Sequence, residues 1–386
     1  MQLANHIRAI QPPPITEVKS WIANRSFPDE KPLVDLCQAI PSYPPPRELI
    51  EHLKNSLEDE QTFKYSPDEG LPEVREAVCD WYRRRYLGAP SNAQLCLTIG
   101  ASQAFWLAMT CLCEPNDEVI VQLPAYFDHP MGLQALGIKP VFAPFEPERG
   151  GLPATDVIAG LITEKTRAIL LVTPSNPTGA VIPSDQIEEL FLLARERNLC
   201  LVLDETYNAF VDAPPHALFT RTDWPQHFVQ IASFGKTFSL TGLRCGALIA
   251  SEDLITQALK VQDTMAVCQP RTAQSALRFG CQHLDAWVDN NAALMRKRHD
   301  LFRDKFSSAD IPFEIVASGS FFAWIKHPWP ELTARQVARK LAEQANLICL
   351  PGEAFGPGMD AYLRLAFGNI TAAQIDTAVN RFVINH

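Results

Sequence analysis

Residues 168–204 read AILLVTPSNPTGAVIPSDQIEELFLLARERNLCLVLD, a stretch that opens and closes on a short, uniformly apolar run. Runs of this length, bounded by turn residues, suit strands buried on both faces. Between them SDQIEELFLLARERN, residues 184–198, spaces its apolar residues as one face of a helix does. Strand, helix and strand in this order make a crossover unit, which joins parallel neighbours in a covered sheet. The same kind of run recurs at QLCLTI (94–99), EVIVQL (118–123) and FVQIAS (228–233). The expected fold class is therefore α/β, with a mainly parallel central sheet flanked by helices.

Outside this core the chain changes character. Proline clusters at 12–14 and 44–46 disfavour regular helix in the first fifty residues and suggest an arm over residues 1–46. RELIEHLKNSLED, residues 47–59, has helical spacing. NAALMRKRHDLFRDKF, just after Asn290, reads as a long connecting helix. Beyond it, strand-like FFAWI and LRLAF mix with helix-like TARQVARKLAEQ, as in a smaller α+β domain. The expected organisation is the arm, which contributes part of the small domain, a large domain over 47–289 and a small C-terminal domain over 290–386.

Composition narrows the function. With 386 residues, 47% hydrophobic and 20% charged, the chain has material for two or three ordinary globular domains at roughly 100–200 residues each. Its 34 basic and 44 acidic residues give a net charge of −10, so no overall positive field draws nucleic acid or anionic lipid. MQLANHIRAIQPPP has neither the basic start nor the unbroken apolar core of a secretory leader, so a cytoplasmic location is expected, with the ten cysteines as thiols. Cys111 and Cys113 are the one close pair, in C-x-C spacing, and the nine histidines are scattered, so no metal site is expected. His129 and His6 are candidate site neighbours by position alone.

Ligands of open α/β sheets collect beyond the carboxyl ends of strands. Gly100, Ala101, Ser102 and Gln103 follow QLCLTI, PSNPTG (174–179) follows AILLVT, Glu205 and Tyr207 follow Asp204, and Phe234, Gly235 and Lys236 follow Ser233. Singly, each has a plain explanation: a turn, a helix cap, a solvated lysine.

Their joint order resembles the class I/II, aspartate aminotransferase-like family of fold type I pyridoxal phosphate enzymes. YSPDEGLPEVREAV (65–78), TIGASQA (98–104), TPSNPTG (173–179), DETY (204–207), SFGKTFSLTGLRCG (233–246) and YLRLAFG (362–368) match its landmarks in its order, across nearly the whole chain. The resemblance implies that Lys236 forms a Schiff base with pyridoxal 5′-phosphate and then moves the substrate proton. It puts Asp204 against the ring nitrogen, where a carboxylate keeps that nitrogen protonated. Asn176 and Tyr207 fall on the ring's phenolate oxygen and Tyr126 on its face. Backbone N–H groups of Ala101, Ser102 and Gln103, with Ser233 and Arg244, fall on the phosphate. Arg364 matches the residue that grips the substrate carboxylate. Tyr65 matches one that reaches the neighbouring subunit's phosphate, which implies a homodimer with shared active sites.

Two segments depart from the pattern. Gln38, Ala39, Ile40 and Pro41 stand where relatives carry a glycine turn beside the substrate, leaving Ala39 as the candidate contact and Ile40 as an apolar rim. Arg271 stands where relatives approach the partner's site; it either recognises a distal acidic or polar group on the substrate or makes a structural salt bridge. The implied reaction is amino transfer from an L-amino acid to a 2-oxo acid. The same scaffold also serves β or γ elimination and cyclisation. An effector-sensing module, as in regulators that carry an aminotransferase-like domain, is disfavoured by the lack of a preceding DNA-binding segment and by the catalytic types kept here, and a nicotinamide dehydrogenase would need a G-x-G-x-x-G after a strand, which is missing.

Overall fold

The computed structural model describes residues 1–212 and 214–383. Its strands are β1 (Val34–Asp35), β2 (Leu95–Ile99), β3 (Glu118–Gln122), β4 (Lys139–Ala143), β5 (Thr166–Val172), β6 (Cys200–Asp204), β7 (Phe228–Ser233), β8 (Cys245–Ile249), β9 (Glu314–Gly319), β10 (Phe322–Lys326), β11 (Leu347–Ile348), β12 (Leu350–Pro351) and β13 (Tyr362–Leu365). Seven of them form the central sheet in the order β2-β8-β7-β6-β5-β3-β4. All its pairings are parallel except those of β8, which runs antiparallel to β2 and β7. The apolar runs thus become strands as expected, with one reversed strand near the edge.

Alternation along these strands explains the layers. Ile169, Leu171, Leu201 and Leu203 face one apolar cluster with Val74 and Val78 of the helix Pro72–Arg85 and with Leu190 and Phe191 of Ser184–Glu196. Leu170, Val202, Val229 and Ile231 point the other way, onto Ala104, Leu107 and Ala108 of Gly100–Leu112. Both faces are dry because both sets are apolar, and each Leu, Ile or Val buried contributes about 1.5–3 kcal/mol.

A four-stranded antiparallel sheet, β12-β13-β10-β9, carries the C-terminal residues. Ala323, Ile325, Leu363 and Leu365 pack there with Val337 and Leu341 of Ala334–Ala345 and with Phe302 and Phe306 of Asp285–Ser308. β1 pairs with β11, so the N-terminal segment is stitched beside this sheet.

Local differences from the sequence reading have simple causes. Pro14 starts a helix, Pro14–Ser20, because at the first position its missing N–H is not needed. The first fifty residues therefore do contain helix, as a turn at Asn5–Arg8 also shows. The helix expected over 47–59 spans Arg47–Ser56, and Asp59 instead caps a 3₁₀ turn by accepting from the Gln61 N–H at 2.9 Å. The long helix begins at Asp285, ahead of the expected start. No helix of the described residues is long and apolar enough to cross a membrane.

Candidate active site

The parallel strands β2, β5, β6 and β7 end on one edge of the sheet, and antiparallel β8 starts there. That topology gathers five chain segments: Gly100–Gln103, Asn176, Asp204–Tyr207, Ser233–Lys236 and Arg244, the residue before β8. Residues from all five line a cavity of about 560 Å³ together with Tyr126. Ala101, Ser102, Tyr126, Asn176, Asp204, Tyr207, Ser233, Lys236 and Arg244, all singled out from sequence, share it.

Asp204 is 3% exposed, and both its oxygens are engaged. Oδ1 accepts from the Thr206 N–H at 3.0 Å and from its hydroxyl at 2.7 Å. Oδ2 lies 3.1 Å from His129 Nε2. His129 is buried, stacked on Phe105 with centroids 4.8 Å apart, and its Nδ1 has no partner among the described residues. Position had marked His129 only weakly; its spacing three residues after Tyr126, on the helix Asp128–Ala135, is what delivers it to Asp204.

Lys236 is electrostatically perturbed. Desolvation, aided by the Arg244 charge, pushes its amine down to about 8 against the opposing pull of Asp204 and Asp128. A group with that value is about one-tenth neutral at pH 7, whereas an ordinary lysine is almost wholly charged. Tyr207 is buried, edge-on to Phe322 at 5.1 Å, and burial drives its phenol upward despite the nearby Arg364 charge.

Close approach at the start of Gly100–Leu112 depends on two glycines. Gly246 pairs with Thr98 and Ser233, and a Cβ there would lie 2.4 Å from the Gly100 carbonyl carbon. Gly100 has φ +72°, and a Cβ on it would meet an Arg244 guanidinium nitrogen at 2.4 Å. The guanidinium thus lies across the helix start, where unpaired N–H groups and the helix dipole favour an anion. Gln103 is not among the cavity-lining residues; its Oε1 accepts from the Ile99 N–H at 2.7 Å.

Arg364 is buried behind this cavity. Its Nη1 donates to Asn176 Oδ1 at 3.0 Å, its Nη2 donates to the Cys37 carbonyl, and its Nε has no partner among the described residues. Phe322 and Phe355 flank the guanidinium, 5.3 and 5.5 Å from its carbon. Ala39 packs against the Tyr207 cluster. Tyr65 is not brought to the cavity; it is 77% exposed. Arg271 makes no salt bridge in the described residues and donates from Nε and Nη2 to the Tyr65 carbonyl, at 3.2 and 2.8 Å. Sequence reasoning missed Thr206, Asp128 and the cavity-lining Ile7 and Ile10. No periodicity at the N-terminus signals such a contact.

A lysine, a buried carboxylate, an open helix start beside a guanidinium and a second, buried arginine are gathered at the carboxyl edge of a mixed sheet. Residues 31–382 match the family described as aminotransferase class I and II, and the chain belongs to that family. It is similar to the aromatic aminotransferase ISS1 of Arabidopsis thaliana, 26% identical over 96% of this chain and 92% of that protein. It is also similar to the L-glutamine–4-(methylsulfanyl)-2-oxobutanoate aminotransferase of Bacillus subtilis, at 28% identity over 89% and 86%. The solved aspartate aminotransferase of Thermus thermophilus with maleate superposes with a TM-score of 0.89, at 25% identity and 99% coverage of both chains. The protein is an aminotransferase of fold type I.

Proposed function

We propose that this enzyme binds pyridoxal 5′-phosphate in the Lys236 cavity and moves the amino group of an L-amino acid to a 2-oxo acid. The residues fit that group on their own chemistry. The N–H groups of Ala101 and Ser102, the Ser102 and Ser233 hydroxyls and Arg244 line the cavity as a donor set for a phosphate, with the Gln103 N–H proposed to join them. Asp204, which accepts from Thr206 and lies 3.1 Å from His129 Nε2, is placed to suit a protonated ring nitrogen. Asn176 and Tyr207 can donate to a phenolate oxygen, and Tyr126 offers a ring face.

Pyridoxal phosphate, when bound, supplies an aldehyde to the lysine amine and a ring that takes up the electron pair released at Cα. Lys236 would supply the neutral amine that the cofactor aldehyde takes up with loss of water and, once the substrate amine has displaced it, would take the Cα proton on Nζ and hand it on across the substrate nitrogen. Arg364 holds the substrate carboxylate through guanidinium N–H groups, with the unpartnered Nε among them. Ala39 bounds the substrate beside Tyr207. Tyr65, exposed on its own chain, is proposed to reach the phosphate of a second copy in a homodimer. The ten free thiols support a cytoplasmic setting.

The observation that carries this reading is a lysine lowered to about 8 in the cavity that also holds the buried Asp204 carboxylate. Named relatives act on aromatic, aspartate and glutamine-type donors, and each is a candidate substrate class here. The test is reconstitution with pyridoxal phosphate, borohydride reduction and peptide mapping, followed by single-turnover reaction with amino acid donors. One equivalent of oxo acid without ammonia supports transamination. Continuous ammonia release assigns elimination instead, and a label anywhere but Lys236 refutes the site.

A further inference from the structure

The Lys236 cavity has a second wall that none of the roles above uses. Ile7 and Ile10 from the N-terminal segment, Trp106 from the helix Gly100–Leu112, and Met131 and Ala135 from Asp128–Ala135 line it. Every one of these side chains is uncharged and predominantly apolar. The exception is Asp128, the first residue of its helix, which is solvent-exposed, lines the same cavity and accepts a hydrogen bond from the Tyr126 hydroxyl.

Charge bookkeeping in the cavity is one-sided. Among the described residues its cations are Lys236 and Arg244, with Arg364 behind Asn176. In the proposed reaction all three are committed, to the cofactor aldehyde, its phosphate and the substrate α-carboxylate. Arg271, the sequence candidate for a distal acid, directs Nε and Nη2 to the Tyr65 carbonyl. A second carboxylate on a substrate would leave water for an apolar wall, find no uncommitted cation among the described residues that line the cavity, and meet the like charge of Asp128. A bulky neutral side chain would bury apolar surface against the same wall.

We propose that the wall formed by Ile7, Ile10, Trp106, Met131 and Ala135 is the substrate side-chain subsite, which takes bulky uncharged amino acids, and that Asp128 discriminates against acidic ones. The inference rests on the transamination reading and adds specificity to it. Selection of this kind joins an attractive surface for one ligand class to a repulsive charge against another.

The test compares phenylalanine, leucine, aspartate and glutamate as donors to the reconstituted enzyme, by single-turnover rate over concentration. The wild type favours phenylalanine or leucine over aspartate at least about tenfold. Asp128→Asn, which keeps an acceptor for Tyr126, narrows that ratio about threefold to tenfold, chiefly by improving the acidic donors. Ile10→Ala lowers the rate with phenylalanine more than with alanine. Binding gives a readout free of turnover: by calorimetry 3-phenylpropanoate binds more tightly than succinate, and the gap shrinks in Asp128→Asn. A wild-type preference for aspartate, or a ratio within twofold of wild type in Asp128→Asn, overturns the inference and leaves the aminotransferase intact. A cofactor-loaded enzyme that reacts with no amino acid overturns the transamination reading and this inference with it.

Discussion

Arg364 on β13 donates to Asn176 Oδ1 at 3.0 Å, and so ties the antiparallel sheet to the loop that ends β5. The contact spans 188 residues of sequence and joins the proposed substrate anchor to a proposed cofactor ligand. Replacing Arg364 with Lys keeps a charge but loses the planar fork held between Phe322 and Phe355. Arg364→Lys is expected to lower kcat/KM for amino acids by roughly ten- to a hundredfold, corresponding to the loss of a charged hydrogen bond. Steady-state kinetics with a fixed oxo acid checks this, and a change below twofold would remove Arg364 from the substrate site.

Lys236→Ala is expected to bind pyridoxal phosphate without a borohydride-stable link and to lose at least about a thousandfold in turnover, since nucleophile and proton carrier vanish together. Intact-mass measurement after reduction reads the first effect. Full turnover in the variant would defeat the proposed chemistry.

The depressed Lys236 value makes a signed pH prediction. The amine is charged below about 8 and neutral above it, so labelling of Lys236 in the cofactor-free protein by an amine-reactive aldehyde rises through about pH 8. Arg244 lowers the value and Asp204 raises it. Arg244→Ala therefore moves the midpoint up, and Asp204→Asn moves it down. Mass spectrometry of labelled peptides across pH distinguishes the two directions; a midpoint near the ordinary lysine value would contradict the desolvated environment.

Gly246→Ala puts a methyl group against the backbone of Gly100 and Ala101, at 2.4 and 2.7 Å, where no flexible side chain can yield. The expected result is a stability loss of about 1–3 kcal/mol, together with weaker cofactor binding as the helix start shifts from Arg244. Urea unfolding and a cofactor titration measure both. Unchanged midpoints would show that the two segments separate at little cost.

Beneath Asp204, its neighbour Glu205 is fully buried with His216 Nε2 at 3.1 Å and Gln230 also donating to it. His216→Ala leaves this carboxylate short of a partner and is expected to lose about 3 kcal/mol or more in urea unfolding. Glu205→Gln in the same background should recover part of that loss; failure to recover any would assign the effect to the cavity instead.

The sequence made the strand ends legible because each buried strand is an apolar run closed by polar residues, and Asn176, Asp204, Ser233 and Lys236 stand on or just after such ends. Arg244 was reachable by motif, and the reversed direction of β8 explains why a residue preceding a strand joins residues that follow strands. His129 was harder, since a histidine inside an apolar helix stretch carries no local sign of the carboxylate it meets. Of the two readings of Arg271, the salt bridge is not formed among the described residues, because the acceptor brought to the guanidinium is the Tyr65 carbonyl, which no local pattern signals. Ile7 and Ile10 gave no signal at all, for Trp106 and Ala135, which line the same cavity, are distant in the chain, and the turn Asn5–Arg8 is too short to show periodicity.

That the chain's opening residues border the chemistry has a practical consequence for anyone preparing the protein. An affinity tag or fusion partner joined ahead of Met1 begins only a few residues from a cavity-lining isoleucine, so its bulk and charge are delivered close to the reaction chamber. Donor preferences recorded on N-terminally tagged material would then describe the tag as well as the enzyme, and cleaved preparations are the proper standard for substrate profiling.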